Sequence, residues 1–261
     1  MTPDSIDIAM SELDHRSFQR GGYVVVRSML GTDRCEQMRE LVHDALSPLI
    51  SPVEYETDVR YPGAPVSRTA PGGNTPRRLL HAYGRDVLFR EWARGREVSA
   101  RLGQLLATDQ PMLSQSHHNC IMTKFPGFSS ATHWHQDIRY WSFDRPDLVS
   151  VWLALGRERE ENGSLSLIPG SHLIELDRGR LDGELFLRPE LEENHRMIAT
   201  ARSVELDAGD VLFFHSGLFH AAGMNRTSGV PGSNDAGHSS TPSCHRLMPS
   251  SLAEQSTPSL L

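Results

Sequence analysis

The stretch Thr132-His-Trp-His-Gln-Asp137 constrains this chain more than any other. His135 and Asp137 form an H-x-D pair, and on a β-strand residues two apart point to the same side. One imidazole nitrogen and one carboxylate oxygen then reach a single metal ion. Far downstream, Gly209-Asp-Val-Leu-Phe-Phe-His-Ser-Gly-Leu-Phe-His220 reads as an apolar strand followed by two candidate third ligands, His215 and His220. Both stretches serve one ion only in a fold that sets these distant strands close together.

The remaining pattern is that of a β-protein with helices gathered at its N-terminal end. Ser11 to Arg20 predicts a short helix with Ser11 as N-cap, stopped by Gly21-Gly22. Tyr23 to Leu30 is β-branched and reads as a strand. Gly31-Thr32 opens a helix to about Leu46, with Thr32 as N-cap and Cys35, Met38, Leu41, Val42 and Ala45 on one face. The segment 51–76, rich in Pro, Gly, Arg and Tyr, is expected to be a long surface loop, either a lid or binding segment or a solvated excursion with no role. A helical region covers 85–106, and Ser114 to Phe125 reads as a strand carrying His117, His118 and Lys124. Asp147 to Leu155 is a further strand. The Asn162-Gly163 pair signals a hairpin returning through Ser164 to His172. Residues 173–202 form a charged excursion, mostly loop, before strands at 203–206 and 210–215. Short strands with turn signals and helical support imply a β-sandwich or barrel.

Composition narrows the function classes. At 261 residues, with 38% hydrophobic and 7% aromatic residues, the chain is long enough for one large domain with a proper core. Its net charge is −7 with no basic run, so no nucleic-acid footprint is present. No stretch approaches the length of a transmembrane helix, and Met1 to Met10 lacks the apolar core of a secretory signal. Cys35, Cys120 and Cys244 are an odd number at unrelated spacings, which fits a reducing cytoplasm rather than a disulfide framework or a zinc site. Lys124 is the only lysine; every other basic residue is arginine. An exception to such a bias marks a place where a compact charge on a flexible stem serves and a planar fork does not.

Two histidines and a carboxylate on one face of an ion, with the other positions open, form the facial triad of non-haem Fe(II) oxygenases. The ordered series around it is Lys124-x-Pro-Gly, Trp134-His135-Gln136-Asp137, Asn162-Gly163-x-Leu-x-x-Ile-Pro-Gly-Ser-His172 and Gly209-Asp-Val-x-x-Phe-His-x-x-x-x-His220. It resembles the phytanoyl-CoA dioxygenase family of Fe(II)/2-oxoglutarate-dependent oxygenases, over about Phe18 to Arg226. The resemblance implies a double-stranded β-helix (jelly roll, cupin-like). It implies iron ligands His135, Asp137 and His220, with 2-oxoglutarate and O2 as cosubstrates. It places Lys124 against 2-oxoglutarate and puts Gln136 and Trp152 at pocket positions. His215 then becomes a core or outer-sphere histidine, while His133 and His172 belong to the rim. Related halogenases replace the carboxylate with a small residue, so Asp137 favours hydroxylation.

One family feature is missing. The arginine that pairs with the far carboxylate of 2-oxoglutarate stands about eleven positions after the distal histidine, where this chain has Pro231. Arg226 and Arg246 are the arginines beyond His220, and Ala222 replaces a small hydroxyl residue. Residues 1–226 are therefore expected to form the oxygenase domain, and 227–261 a disordered Ser/Pro/Gly-rich tail that does not supply the final strand. Two explanations stand open. A frame change or truncation leaves an impaired protein, or Lys124 or Arg226 takes over the carboxylate.

The expected function is a dioxygenase hydroxylating an unactivated C–H bond of a small organic molecule, with no nucleic-acid or membrane partner. Its rivals are a cupin-like metal-binding protein indifferent to O2 and 2-oxoglutarate, and an inactive relative used for protein interaction. No motif encodes the substrate or the oligomeric state.

Overall fold

The computed structural model describes residues 10–115, 119–140, 146–227, 246–247 and 250–252. His117, His118, Cys244, the N-terminal residues 1–9 and most of the expected tail lie outside the described residues. Helix α1 (Glu12–Gly21) begins where the Ser11 hydroxyl accepts the Asp14 N–H, and it ends on Gly22 at φ 81. That left-handed cap suits glycine alone, because a Cβ there would lie 2.6 Å from the His172 ring. Strand β1 (Tyr23–Val26) is shorter than its apolar pattern, since the chain turns at Ser28, φ 48, where Asp210 captures its N–H. Helix α2 (Thr32–Leu46) starts on Gly31, one residue before the expected cap, and buries Cys35, Met38, Val42 and Ala45.

The 51–76 segment is not a simple loop. Its two ends are strands β2 (Val53–Tyr55) and β3 (Pro76–Leu80), which pair with each other. The helical region divides into α3 (Ala82–Arg85), α4 (Val87–Ala93) and α5 (Arg96–Leu106), broken at Arg94-Gly95. The expected long strand after it is two short ones, β4 (Met112–Ser114) and β5 (Cys120–Met122). There follow β6 (Thr132–His135), β7 (Leu148–Ala154), β8 (Leu165–Leu167), α6 (Glu192–Ile198), β9 (Arg202–Ser203), β10 (Val211–His215) and β11 (His220–Ala222).

These strands form two antiparallel sheets. The larger runs β1-β10-β7 and continues to β5-β3-β2; the smaller runs β6-β11-β8-β9. Strand β7 is buried along its whole length and feeds two cores. Val151 and Leu153, with Val211 and Phe213 beside them, face α2, α4 and α5 through Met38, Val42, Phe89, Trp92, Val98 and Leu102. Trp152 and Ala154, with Leu212 and Phe214, face the smaller sheet through Leu165, Leu167 and Ala222. Such double burial accounts for a run apolar on both faces, interrupted by Ser150, where a strand covered on one face would alternate. The jelly-roll sandwich with helical support is thus present.

Two expectations are corrected. Asn162-Gly163 does not close a hairpin, because β7 and β8 lie in different sheets. The Asn162 side-chain oxygen Oδ1 instead accepts the Arg159 N–H, and Gly163 at φ 84 redirects the chain across the sandwich. The C-terminal segment does supply strands. β12 (Arg246–Leu247) pairs with β5 and β7, and β13 (Ser250–Leu252) pairs with β4 and β7. The unpaired edges of β5 and β7 offer backbone partners to any extended segment, so low hydrophobicity does not bar it.

Asp210 fastens the turn ahead of β10. Its carboxylate accepts the N–H groups of Ser28 (2.8 Å) and Asp207 (2.9 Å) and the guanidinium of Arg27 (2.6 Å). Burial opposes its charge, but these donors outweigh it and hold the carboxyl below its ordinary value. The contribution is complete above the unfolded-state value of about 3.9 and is lost as pH falls through the folded one. Asp210→Asn should therefore cost about 1–3 kcal/mol in urea unfolding at neutral pH. The gap from the parent protein should close below about pH 4.

Candidate metal centre

Strands β6 and β11 pair so that His135 and His220 are direct cross-strand partners. Their rings lie 4.2 Å apart, centroid to centroid. Asp137 is not on the strand, as the H-x-D spacing predicted, but in the 3-10 turn that follows β6. That turn brings its carboxylate back to within 3.4 Å of His220 Nε2. All three residues are buried, and one ligand atom from each lies within 4.8 Å of the others.

The outer side of every ligand is held. His135 Nδ1 donates to the His133 carbonyl at 2.7 Å, and His220 Nδ1 donates to the Leu218 carbonyl at 3.0 Å. A carbonyl only accepts, so both Nδ1 atoms carry the proton and both Nε2 atoms present a lone pair to the centre. Ser150, on the inner face of β7, donates its hydroxyl to the other Asp137 oxygen at 2.6 Å. Burial, then neighbouring His220, push His135 well below its ordinary pKa, so the ring is neutral as a ligand requires. These donors suit a divalent metal of the Fe(II) kind: two neutral imidazoles and one carboxylate converging from one side.

A narrow cavity of about 20 Å³ adjoins the triad, walled by Arg78, Met122, Lys124, Thr132, Trp152, Leu165 and Ala222. Lys124 is buried, and its ammonium donates to the carbonyls of Gly223 and Ser130. Trp152 donates its indole N–H to the buried carboxylate of Glu158 at 2.9 Å, which fixes the ring as a cavity wall. Gln136 and Arg226 are not among these walls. The Gln136 amide donates to the Gly217 carbonyl, and Arg226 is exposed, its backbone N–H on Glu161 O. His215 lies apart from the triad: its Nδ1 accepts the Gly217 N–H, and its ring faces His172 at 5.2 Å. The third member of the cluster is accordingly His220.

Sequence reasoning missed several contributors. Arg78 reaches the cavity from β3, a strand that begins where the expected loop ends. Phe186 stands 5.9 Å from the His135 ring and 5.3 Å from the exposed ring of His133, with the Arg139 guanidinium 3.6 Å above it. Tyr61 meets the same Phe186 edge-on at 5.9 Å. Both long excursions thus place an aromatic ring near the triad. Glu56 anchors the first of them by accepting the N–H and hydroxyl of Ser130. A lone aromatic in an excursion carries no pattern that marks it; Glu56 and Ser130 lie 74 residues apart.

Removing an outer hydrogen bond to a metal ligand weakens binding roughly 10–100-fold. Ser150→Ala should show a loss of that size in Fe(II) affinity by anaerobic titration, with His220→Ala abolishing binding. Equal affinity in Ser150→Ala would mean that Asp137 is oriented without it.

Residues 18–231 match the family described as phytanoyl-CoA dioxygenase (PhyH). Among similar proteins, a probable phytanoyl-CoA dioxygenase of Caenorhabditis elegans is 23% identical over 84% of this chain and 72% of its own length. The ectoine dioxygenase of Streptomyces avermitilis is 28% identical over 66% of this chain and 54% of its own. For the human peroxisomal phytanoyl-CoA dioxygenase the values are 29%, 50% and 40%. Apart from the first, the chain spans about half or less of these relatives' lengths. In fold it is similar to EctD from S. alaskensis, crystallised with 2-oxoglutarate and 5-hydroxyectoine, at a TM-score of 0.70 and 18% identity, covering 96% of this chain and 79% of that one. The epimerase SnoN, in complex with Fe3+, alpha ketoglutarate and nogalamycin RO, gives a TM-score of 0.66 at 20% identity, covering 95% and 83%. The family match over most of the chain, joined to the His-Asp-His cluster and the two-sheet sandwich, places this chain in the phytanoyl-CoA dioxygenase family, among the Fe(II)/2-oxoglutarate-dependent dioxygenases.

Proposed function

We propose that this protein hydroxylates an unactivated C–H bond of a small organic molecule, with 2-oxoglutarate and O2 as cosubstrates and Fe(II) held by His135, Asp137 and His220. The observation that carries this reading is the convergence of three buried ligand atoms whose outer partners are all supplied by the protein. Bound iron would supply an open coordination face for 2-oxoglutarate and O2. The chain's own residues do the rest. Asp137 keeps a carboxylate where a halogenase has a small residue. Phe186 and Tyr61, brought in by separate excursions, keep water from the cavity mouth. Lys124 places a cation in a poorly hydrated wall, where an anionic cosubstrate gains most from it.

The cavity beside the triad has room for about one water. Entry of 2-oxoglutarate therefore requires Lys124 to leave the Gly223 carbonyl and turn to a carboxylate. For the arginine absent at position 231, the two alternatives are Lys124, which lines the cavity, and Arg226, which lies at the surface. The small cavity and the net charge of −7 support a small-molecule rather than a nucleic-acid partner. No helix of the described residues is long and apolar enough to cross a membrane. Cys35 is a buried free thiol, which supports a cytoplasmic setting.

Two measurements test this reading. Aerobic O2 uptake should depend on both Fe(II) and 2-oxoglutarate and vanish in Asp137→Ala; uptake indifferent to 2-oxoglutarate would overturn the reading. Anaerobic titration of 2-oxoglutarate into the Fe(II) protein should give a saturable visible chelate band. Losing one partner of a buried charge pair costs about 2–5 kcal/mol, or thirtyfold and more in half-saturation. That shift is expected for Lys124→Ala, with Arg226→Ala unchanged. A band that ignores Lys124→Ala would remove the lysine from the cosubstrate site.

A further inference from the structure

His215 is half-buried, is not a ligand, and stands at the end of β10 where the chain turns toward His220. Its Nδ1 accepts the Gly217 N–H at 2.9 Å, and its backbone carbonyl accepts the Leu218 N–H at 2.9 Å. These two bonds fold Ser216-Gly217-Leu218 into one turn. Each of the three carbonyls of that turn is engaged with the triad or its neighbours. The Gly217 carbonyl accepts the Gln136 amide, between His135 and Asp137 in sequence. The Ser216 carbonyl accepts the Ile138 N–H at 3.1 Å, directly after Asp137. The Leu218 carbonyl accepts His220 Nδ1. One short turn therefore holds both the segment that carries two of the ligands and the ring of the third.

We propose that His215 is a positioning residue of the metal centre: by accepting the Gly217 N–H it sets the turn that fixes His135 and Asp137 relative to His220. The proposal rests on the reading of those three residues as the metal triad. Space at Gly217 is part of the device, because a Cβ there would come 3.1 Å from His215 Nδ1. An acceptor at Nδ1 requires the neutral tautomer with its proton on Nε2. Burial first, then nearby His172, lower His215 to about 4 against the opposing charge of Asp147, so that form is the one present at neutral pH.

The test compares His215→Phe, which keeps a ring but removes the acceptor, with His215→Asn, whose side-chain oxygen can accept the N–H two residues on as an Asx turn does. Fe(II) affinity and thermal midpoint are measured on each, together with Gln136→Leu. His215→Phe should weaken Fe(II) binding about 10–100-fold, as loss of an outer support does. His215→Asn should recover most of it, even where its thermal midpoint falls as far as that of His215→Phe. Gln136→Leu should weaken binding to a similar degree, and the pair His215→Phe/Gln136→Leu should be less than additive. Should His215→Phe fail to fold, His215→Asn and Gln136→Leu decide the matter. Wild-type affinity in Gln136→Leu, or an Asn variant no better than Phe at equal stability, would overturn the proposal while leaving the triad standing. A parent protein that binds no Fe(II) would overturn both.

Discussion

The pairing of β6 with β11 is the constraint on which the site depends. It sets His135 opposite His220 across an antiparallel ladder, and the pleat makes directly opposed residues share a face. A slip of one residue would send one imidazole to the other side of the sheet. The register is held from outside by three supports: Leu167 beside His220 on β8, the Ser171 hydroxyl on the Phe219 N–H, and the turn closed by His215. The remaining ligand, Asp137, reaches the centre only because the strand ends at His135 and the chain curls into a 3-10 turn against Ser216. The metal site is thus a product of strand register and one turn rather than of a local motif alone.

The same economy appears in the inner face of β7. Ser150 and Trp152 are two residues apart on a strand buried throughout, and each spends its polar group on an ionisable partner. Ser150 holds Asp137; Trp152 is held by Glu158. In an interior where an unmatched polar atom costs several times what a matched one contributes, such pairs keep the ligands and cavity walls in a single arrangement. On the other side of the His135 ring, Tyr61 and Phe186 meet edge-on from two long excursions.

Much of this was legible in the sequence because it rests on short-range chemistry. Ser11 as a cap, the buried strands at 148–154 and 211–215, and the H-x-D pair each follow from neighbouring residues. The resemblance favours His220 over His215 as ligand, and the register sets His220, not His215, opposite His135. What failed did so for nonlocal reasons. Asn162-Gly163 has the look of a hairpin turn, yet its flanking strands belong to different sheets, which only the whole sandwich decides. The expected Asp137 strand position gave way to a turn gripped by residues eighty positions on. Residues 246–247 and 250–252, in a stretch poor in core residues, pair as strands because the edges of β5 and β7 accept backbone irrespective of side chain. Arg78, Phe186 and Tyr61 carry no signal until β3 and the excursions are placed.

The central claim is that His135, Asp137 and His220 hold one iron ion. Its most direct test is anomalous diffraction at the iron absorption edge from crystals grown anaerobically with Fe(II). The account predicts a single peak within bonding distance of His135 Nε2, His220 Nε2 and an Asp137 carboxylate oxygen. A peak between His172 and His215, or coordination that leaves out Asp137, would contradict it.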